Sequence, residues 1–189
     1  MAQSAISLCS KALIKLGAQP IASFGENTAE AEIASRLYEP IRDALLSAHP
    51  WRFATAQVRL NRLADNPTAD FAYAYQLPND FLRVLSAGVN NAGRGLNYRI
   101  CERTLQCNAS DVILTYIFNP QEQNYPPFFN QLLIDKLAAE FCLPLTESVS
   151  RTDFLTKQAN ESFARAKLID AQQDIPIGIT DFSLIGARV

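Results

Sequence analysis

Histidine, tryptophan and methionine each occur once in this chain. With His49 as the only imidazole, a Cys/His metal cage lacks ligands, and any histidine base must be that residue. The four cysteines, Cys9, Cys101, Cys107 and Cys142, form no C-x-x-C pair. The Cys101–Cys107 spacing fits no zinc pattern, so all four read as small apolar residues in a reducing cytosol. No metal or cofactor is expected. Charge is sparse, at 19% of residues with a formal net charge of −2. No basic run exceeds two residues, which argues against tight wrapping of nucleic acid. It leaves room for DNA sliding past a neutral or acidic wall, and for large buried contacts between subunits. No apolar run approaches the roughly 20 residues of a membrane span. The opening MAQSAISLCSKALIKLG is too polar and interrupted for a signal peptide. A soluble protein made in a cytoplasm is expected, with no membrane partner.

What is present is a globular composition, 48% apolar over 189 residues. Such a chain suits one domain plus an arm and buries roughly 70% of its unfolded surface, so it needs no disulfide or metal for stability. The stretch that organises it is 36–54, RLYEPIRDALLSAHPWRFA. Ile33, Leu37, Ile41, Leu45 and Ala48 recur at helical spacing, and Pro50 ends the helix by forcing His49 out of the helical region. Pro40 inside this pattern should bend it. His49, Trp51 and Phe53 then form a structural plug. The two rings fill the bottom of a bundle, and the imidazole nitrogens bond local backbone.

The rest follows in order. A first helix over about 3–16 presents Ala5, Leu8, Cys9, Ala12, Leu13 and Leu16 on one face and ends at Gly17. The 36–54 helix starts near Asn27, with Glu30 completing a capping box. Strand periodicity appears at Val58 and Leu60, then at Phe71, Tyr73, Tyr75 and Leu77. It returns over 81–89, at Leu96, Tyr98 and Ile100, at Leu105 and Cys107, and over 112–118. Turn chemistry at Asn90 to Gly95 and near Glu102 separates these runs. They predict an antiparallel meander of four or five strands. Pro126 and Pro127 open a helix carrying Phe129, Leu132, Leu133, Leu137 and Phe141, and Pro144 stops it. A last helix from Ser150, capped with Asp153, runs to about Gln172 and turns Leu155, Ala159, Phe163, Ala166 and Ile169 inward. The expected fold is α+β. It is mainly a bundle of about four helices, residues 1–174, with a small antiparallel sheet inserted at about 55–119. An extended C-terminal arm occupies 175–189.

Chemistry is hard to find. His49 has no nucleophile elbow beside it. Gly93-Arg94-Gly95 lacks the P-loop pattern and precedes a strand rather than a helix. Glu30 and Glu32 read as a solvated cap. Phe71, Tyr73 and Tyr75 could stack bases, but no Arg or Lys interleaves them, so they read as sheet core. No catalytic residue is assigned and no enzyme is expected.

The ordered set of Tyr38, Arg42, Leu46, His49-Pro50-Trp51 and Phe53-Ala54 is followed by a strand, tyrosines and Leu77-Pro78-Asn79-Asp80-Phe81. This order resembles the head-to-tail adaptor proteins of tailed bacteriophages, the group that includes tail tubular protein A and the gene-transfer-agent adaptors. Arg36 stands one residue out of that register. The likeness covers the first half of the chain. It implies a helical bundle interrupted by a sheet. It also implies a structural virion protein at the head–tail junction, about twelve copies in a ring. That ring binds the portal protein on one side and a tail or nozzle protein on the other. Genomic DNA passes through its channel without sequence-specific binding. The rivals are a cell-wall hydrolase acting during virus entry and a monomeric interaction module.

The arm, IPIGITDFSLIGARV, is too apolar for a solvated terminus and too rich in Gly and Pro for a helix. Burying Ile175, Ile177, Ile179, Phe182, Leu184, Ile185 and Val189 roughly offsets the entropy of ordering it, so further bonds to a partner are needed. The arm is therefore expected to be mobile in a lone subunit and to dock as an extended strand in an assembly. A tie folded back on its own bundle is the alternative.

Overall fold

The computed structural model describes residues 3–173. Among them the chain forms four α-helices and six β-strands. Helices α1 (Ala5–Lys15) and α2 (Ala29–Ala48) come first. The strands are β1 (Thr55–Arg59), β2 (Tyr73–Gln76), β3 (Phe81–Gly88), β4 (Tyr98–Cys101), β5 (Thr104–Cys107) and β6 (Ile113–Phe118). Helices α3 (Pro127–Thr146) and α4 (Val149–Ala171) follow, and the fold is α+β. The arm residues Ile175, Ile177, Ile179, Phe182, Leu184, Ile185 and Val189 lie outside the described residues.

Helix α1 begins where Ser4 Oγ accepts the Ser7 N–H at 3.2 Å, and it ends before Gly17 at φ +71°, a backbone that glycine adopts without strain. Helix α2 is capped by Thr28 rather than Asn27. Thr28 is extended, and its Oγ1 accepts the Ala31 N–H at 3.2 Å. The helix runs through Pro40, which sits at an exposed position, and stops at His49, extended before Pro50. Its buried centre is Ala31, Ala34, Tyr38 and Leu45. Ile33, Leu37 and Ile41 flank that line half-buried, so the face is rotated from the predicted stripe.

Helix α3 is the central rod, packed by α1, α2 and α4, and Phe129, Leu132, Leu133, Leu137 and Phe141 are all buried. Pro126 is its N-cap and Pro127 its first residue. Pro144 does not stop it. The bond that proline forfeits belongs to the carbonyl of Glu140, an exposed residue that water can serve. The helix ends instead at Glu147, φ +51°, whose N–H donates to the Leu143 carbonyl at 3.0 Å. The predicted Ser150/Asp153 cap of α4 is also absent. Ser150 already lies inside the first turn, and the N-cap, Ser148, makes no side-chain cap bond. Leu155, Ala159 and Ala166 point inward and Phe163 is half-buried. Ile169 does not follow them, being 39% exposed, and the inward position next to it belongs to Asp170 at 1%.

The strands form two sheets rather than one meander. One has the order β1-β6-β3 and the other β2-β5-β4, all pairs antiparallel. The chain alternates between them, and only β4–β5 is a tight hairpin within one sheet, turned at Glu102 with φ +52°. Strand β6 explains the layering. Leu114 and Tyr116 join the core shared with Tyr75, Leu105 and Cys107 of the second sheet, while Ile117, on the opposite face, joins the core of the bundle. The β1-β6-β3 sheet is thus the middle layer between helices and second sheet. Arg83 of β3 ties it to α2, donating from Nη1 to the Ser47 carbonyl at 2.7 Å.

The 89–96 loop turns at Asn90 and Asn91, both with positive φ, and folds back over this middle sheet. The Gly93 carbonyl accepts from Ser86 Oγ at 2.6 Å and from Thr115 Oγ1 at 3.2 Å. A Cβ on Gly88 would stand 2.0 Å from the Ala92 carbonyl oxygen. Gly88→Ala must therefore lever the loop off the sheet, with an expected loss of about 1–3 kcal/mol in urea unfolding. An unchanged midpoint would mean that the loop is not held there.

Candidate functional site

The sequence places His49, Trp51 and Phe53 where α2 hands over to β1, and the structure brings all three together. Trp51 has no exposed surface, and its Nε1–H donates to the Leu45 carbonyl at 3.0 Å. That bond satisfies the one polar atom an indole must bury. Phe129 of α3 and Phe163 of α4 meet the indole edge-on at 5.3 and 5.8 Å between centroids. His49 meets it edge-on at 4.7 Å, and Phe53 lies 6.2 Å away. The plug is thus the junction of α2, α3, α4 and the lead into the middle sheet.

His49 departs from expectation in one respect. The partner of its Nε2 is the carboxylate of Asp170 at the end of α4, at 3.7 Å, not local backbone. Asp170 also accepts the Arg52 N–H, at 3.1 and 3.3 Å to its two oxygens. Burial pushes the Asp170 carboxyl above its usual value, opposed by the Arg52 N–H and by the His49 and Arg52 charges. Burial likewise lowers the His49 value, against the pull of Asp170 and helped by the nearby Lys167, Arg83 and Arg52.

A second inward carboxylate sits on α3. Asp135, 4% exposed, accepts from Ser162 Oγ at 2.6 Å and from Gln131 Nε2 at 3.0 Å, and it pairs with Lys15 Nζ. It joins α1, α3 and α4 at one point. Neither aspartate was singled out in the sequence, though signals existed. Asp135 stands between the apolar Ile134 and the inward Leu137–Phe141 run of α3, and Asp170 falls four residues after Ala166 in the inward register. Both are occupied with holding elements together.

Phe71, Tyr73 and Tyr75 are less bare of arginine than the linear sequence implies. The Arg62 guanidinium lies 3.8 Å from the Tyr73 ring centroid and that of Arg99 5.4 Å from Phe71. Both arrive from other segments, and Arg99 is also paired with Asp70 at 2.7 Å. Tyr75 is sheet core as expected, its hydroxyl donating to the Ala109 carbonyl at 2.6 Å.

Among the described residues, the apolar surfaces of α4 and of the cleft beside it stand out. Along α4, Val149, Phe154 and Leu168 are 64%, 67% and 67% exposed. Between α2 and α4, floored by α3, lies an open groove of about 470 Å³. Its walls are mainly Pro40, Ile41, Ala44 and Ala48 on one side and Phe163 on the other, with Leu132 beneath. Among the described residues no group of three or more His, Cys, Asp or Glu could hold a metal ion, and no helix is long and apolar enough to cross a membrane. Neither a family model nor a curated protein matches the chain.

The His49 shift carries a pH dependence. A folded-state value below the ordinary 6.5 means that the unfolded chain binds the proton more readily, so stability falls as pH drops from above 6.5 toward the folded value. Asp170, raised above 3.8, works in the opposite sense at lower pH, where its carboxylate favours loss of stability as pH rises. Wild type is expected to lose more Tm than His49→Gln when both are acidified through that histidine window. Parallel curves in a fluorimetric melt would contradict the assignment.

Proposed function

We propose that the chain is a structural subunit of a head-to-tail adaptor ring, seated at the head–tail junction of a virion. In this reading the ring binds a portal protein and a tail or nozzle protein and continues the channel through which genomic DNA leaves. The ordered residues from Tyr38 to Phe81 support it, together with a helical bundle that carries a small β region.

The observation that carries the reading furthest is the outer face of α4. Phe154 and Leu168 stand on nearly the same side of that helix, about 21 Å apart along its axis at 1.5 Å per residue. Exposed side chains of that size spread along one helix suit a seam between subunits better than a solvated surface. A ring closes through head-to-tail contacts between two different faces. Side-by-side packing of bundles along α4 supplies one of them. No specific observation favours the hydrolase: the two buried carboxylates among the described residues, Asp135 and Asp170, are both engaged in holding helices.

The test is assembly. Mass photometry and negative-stain microscopy of the purified chain, alone and with a portal protein, should show closed rings. Phe154→Asp combined with Leu168→Asp should abolish them while leaving the thermal midpoint nearly unchanged, since substitutions at exposed sites shift stability by about 0.5 kcal/mol or less. A chain that stays monomeric at every concentration and with portal protein present overturns the reading, as does release of fragments from purified cell wall.

A further inference from the structure

The open groove between α2 and α4 is a second unpartnered apolar surface, and its position suggests what covers it. The described chain ends at Gln173, two residues after α4. The end of α4 is pinned beside the groove. Asp170 lies 3.7 Å from His49, and the residue before His49, Ala48, forms one end of the groove wall. We propose that this groove is the seat of the chain's own residues 175–179, Ile-Pro-Ile-Gly-Ile, bound within the same subunit.

Three features argue for this occupant. The first is reach. Asp170, one residue before the end of α4, lies 3.7 Å from His49, and only Asp174 separates the last described residue from Ile175, so a groove that starts at Ala48 is met at high effective concentration. The second is pattern. Ile175, Ile177 and Ile179 alternate, and in an extended chain they project to one side over about 13 Å. The groove wall from Pro40 to Ala48 rises about 12 Å along α2, the same length. The third is polarity. Pro176 has no N–H to satisfy, and the rim of the groove offers Asn160 and the Lys136–Glu140 pair, 2.7 Å apart, to the remaining backbone groups. In the proposed seat the arm would run back along α2, with Ile175 toward Ala48, Ile177 toward Ala44 and Ile179 toward Ile41. This occupant makes the arm a tie within the free subunit rather than a loose end. The inference concerns the lone chain and does not rest on the adaptor reading.

Cysteine pairing tests it in the full-length protein. In a Cys101→Ser background, which removes the exposed native thiol, Ala44→Cys with Ile177→Cys should oxidise to a cross-linked monomer at micromolar concentration. It should do so about tenfold faster than a control pair, Leu143→Cys with Ile177→Cys, placed on exposed surface elsewhere. Dimers as the main product would put the arm in a neighbour's groove and overturn the proposal. Equal rates for the two pairs would overturn it as well. Ala44→Asp gives an independent reading in hydrogen exchange. Amides of 175 and 177–179 should exchange about tenfold faster than in wild type while those of β6 stay unchanged. No change in the arm would reject the groove as its seat. Ring formation with portal protein is scored separately, so failure of either idea leaves the other intact.

Discussion

The indole of Trp51 is the contact through which the rest of the molecule is aligned. A helix that stops at a proline leaves the chain free to depart in any direction. Here the direction is set because Trp51 Nε1 is bonded back to Leu45 while its ring is wedged among Phe53, Phe129 and Phe163. Aromatic edges at 5–6 Å tolerate little rotation, so α3 and α4 are fixed against the end of α2. The same corner fixes the start of β1, and with it the middle sheet, whose Ile117 leans on the bundle core. The sheet lobe is therefore attached by core packing rather than by a linker.

Two buried aspartates complete this arrangement, and they follow one physical rule. A carboxylate taken out of water is tolerated where donors surround it. Asp135 has Ser162, Gln131 and Lys15; Asp170 has the Arg52 N–H, with the His49 ring 3.7 Å away. Each joins elements distant in sequence. Asp170 also brings the end of α4 to the His49 corner, one residue from the Ala48 end of the apolar groove. The chain's lone histidine, beside the Asp170 carboxylate, is part of this joint.

Much of the helical framework was legible because helical periodicity and capping are local. Gly17, Pro50 and Pro127 mark helix ends for reasons contained within a few residues, and the inward residues of α1 and α3 fall where the spacing puts them. The misreadings are also instructive. Pro144 is an ambiguous stop, since a proline in a last turn whose lost bond faces water can be accommodated. Ile169 looked inward because it is apolar, yet the register belongs to Asp170, whose partners come from a region more than a hundred residues away. The arginines over Tyr73 and Phe71 come from the segment after β1 and from β4, which no linear pattern joins to these rings.

The sequence by itself determined the α+β composition, the helix-ending signals, the strand segments and the aromatic plug, because period, turn chemistry and side-chain size act over short range. It also carries the ordered residues from Tyr38 to Phe81 on which the proposed function rests. Tertiary structure decided how the strands sort into two sheets, since alternation says which residues share a face and not which strand lies beside which. It decided too which carboxylates are buried, where the apolar groove opens and which face of α4 stays bare. Those features depend on surfaces meeting across long sequence separations, and no local pattern encodes such a meeting.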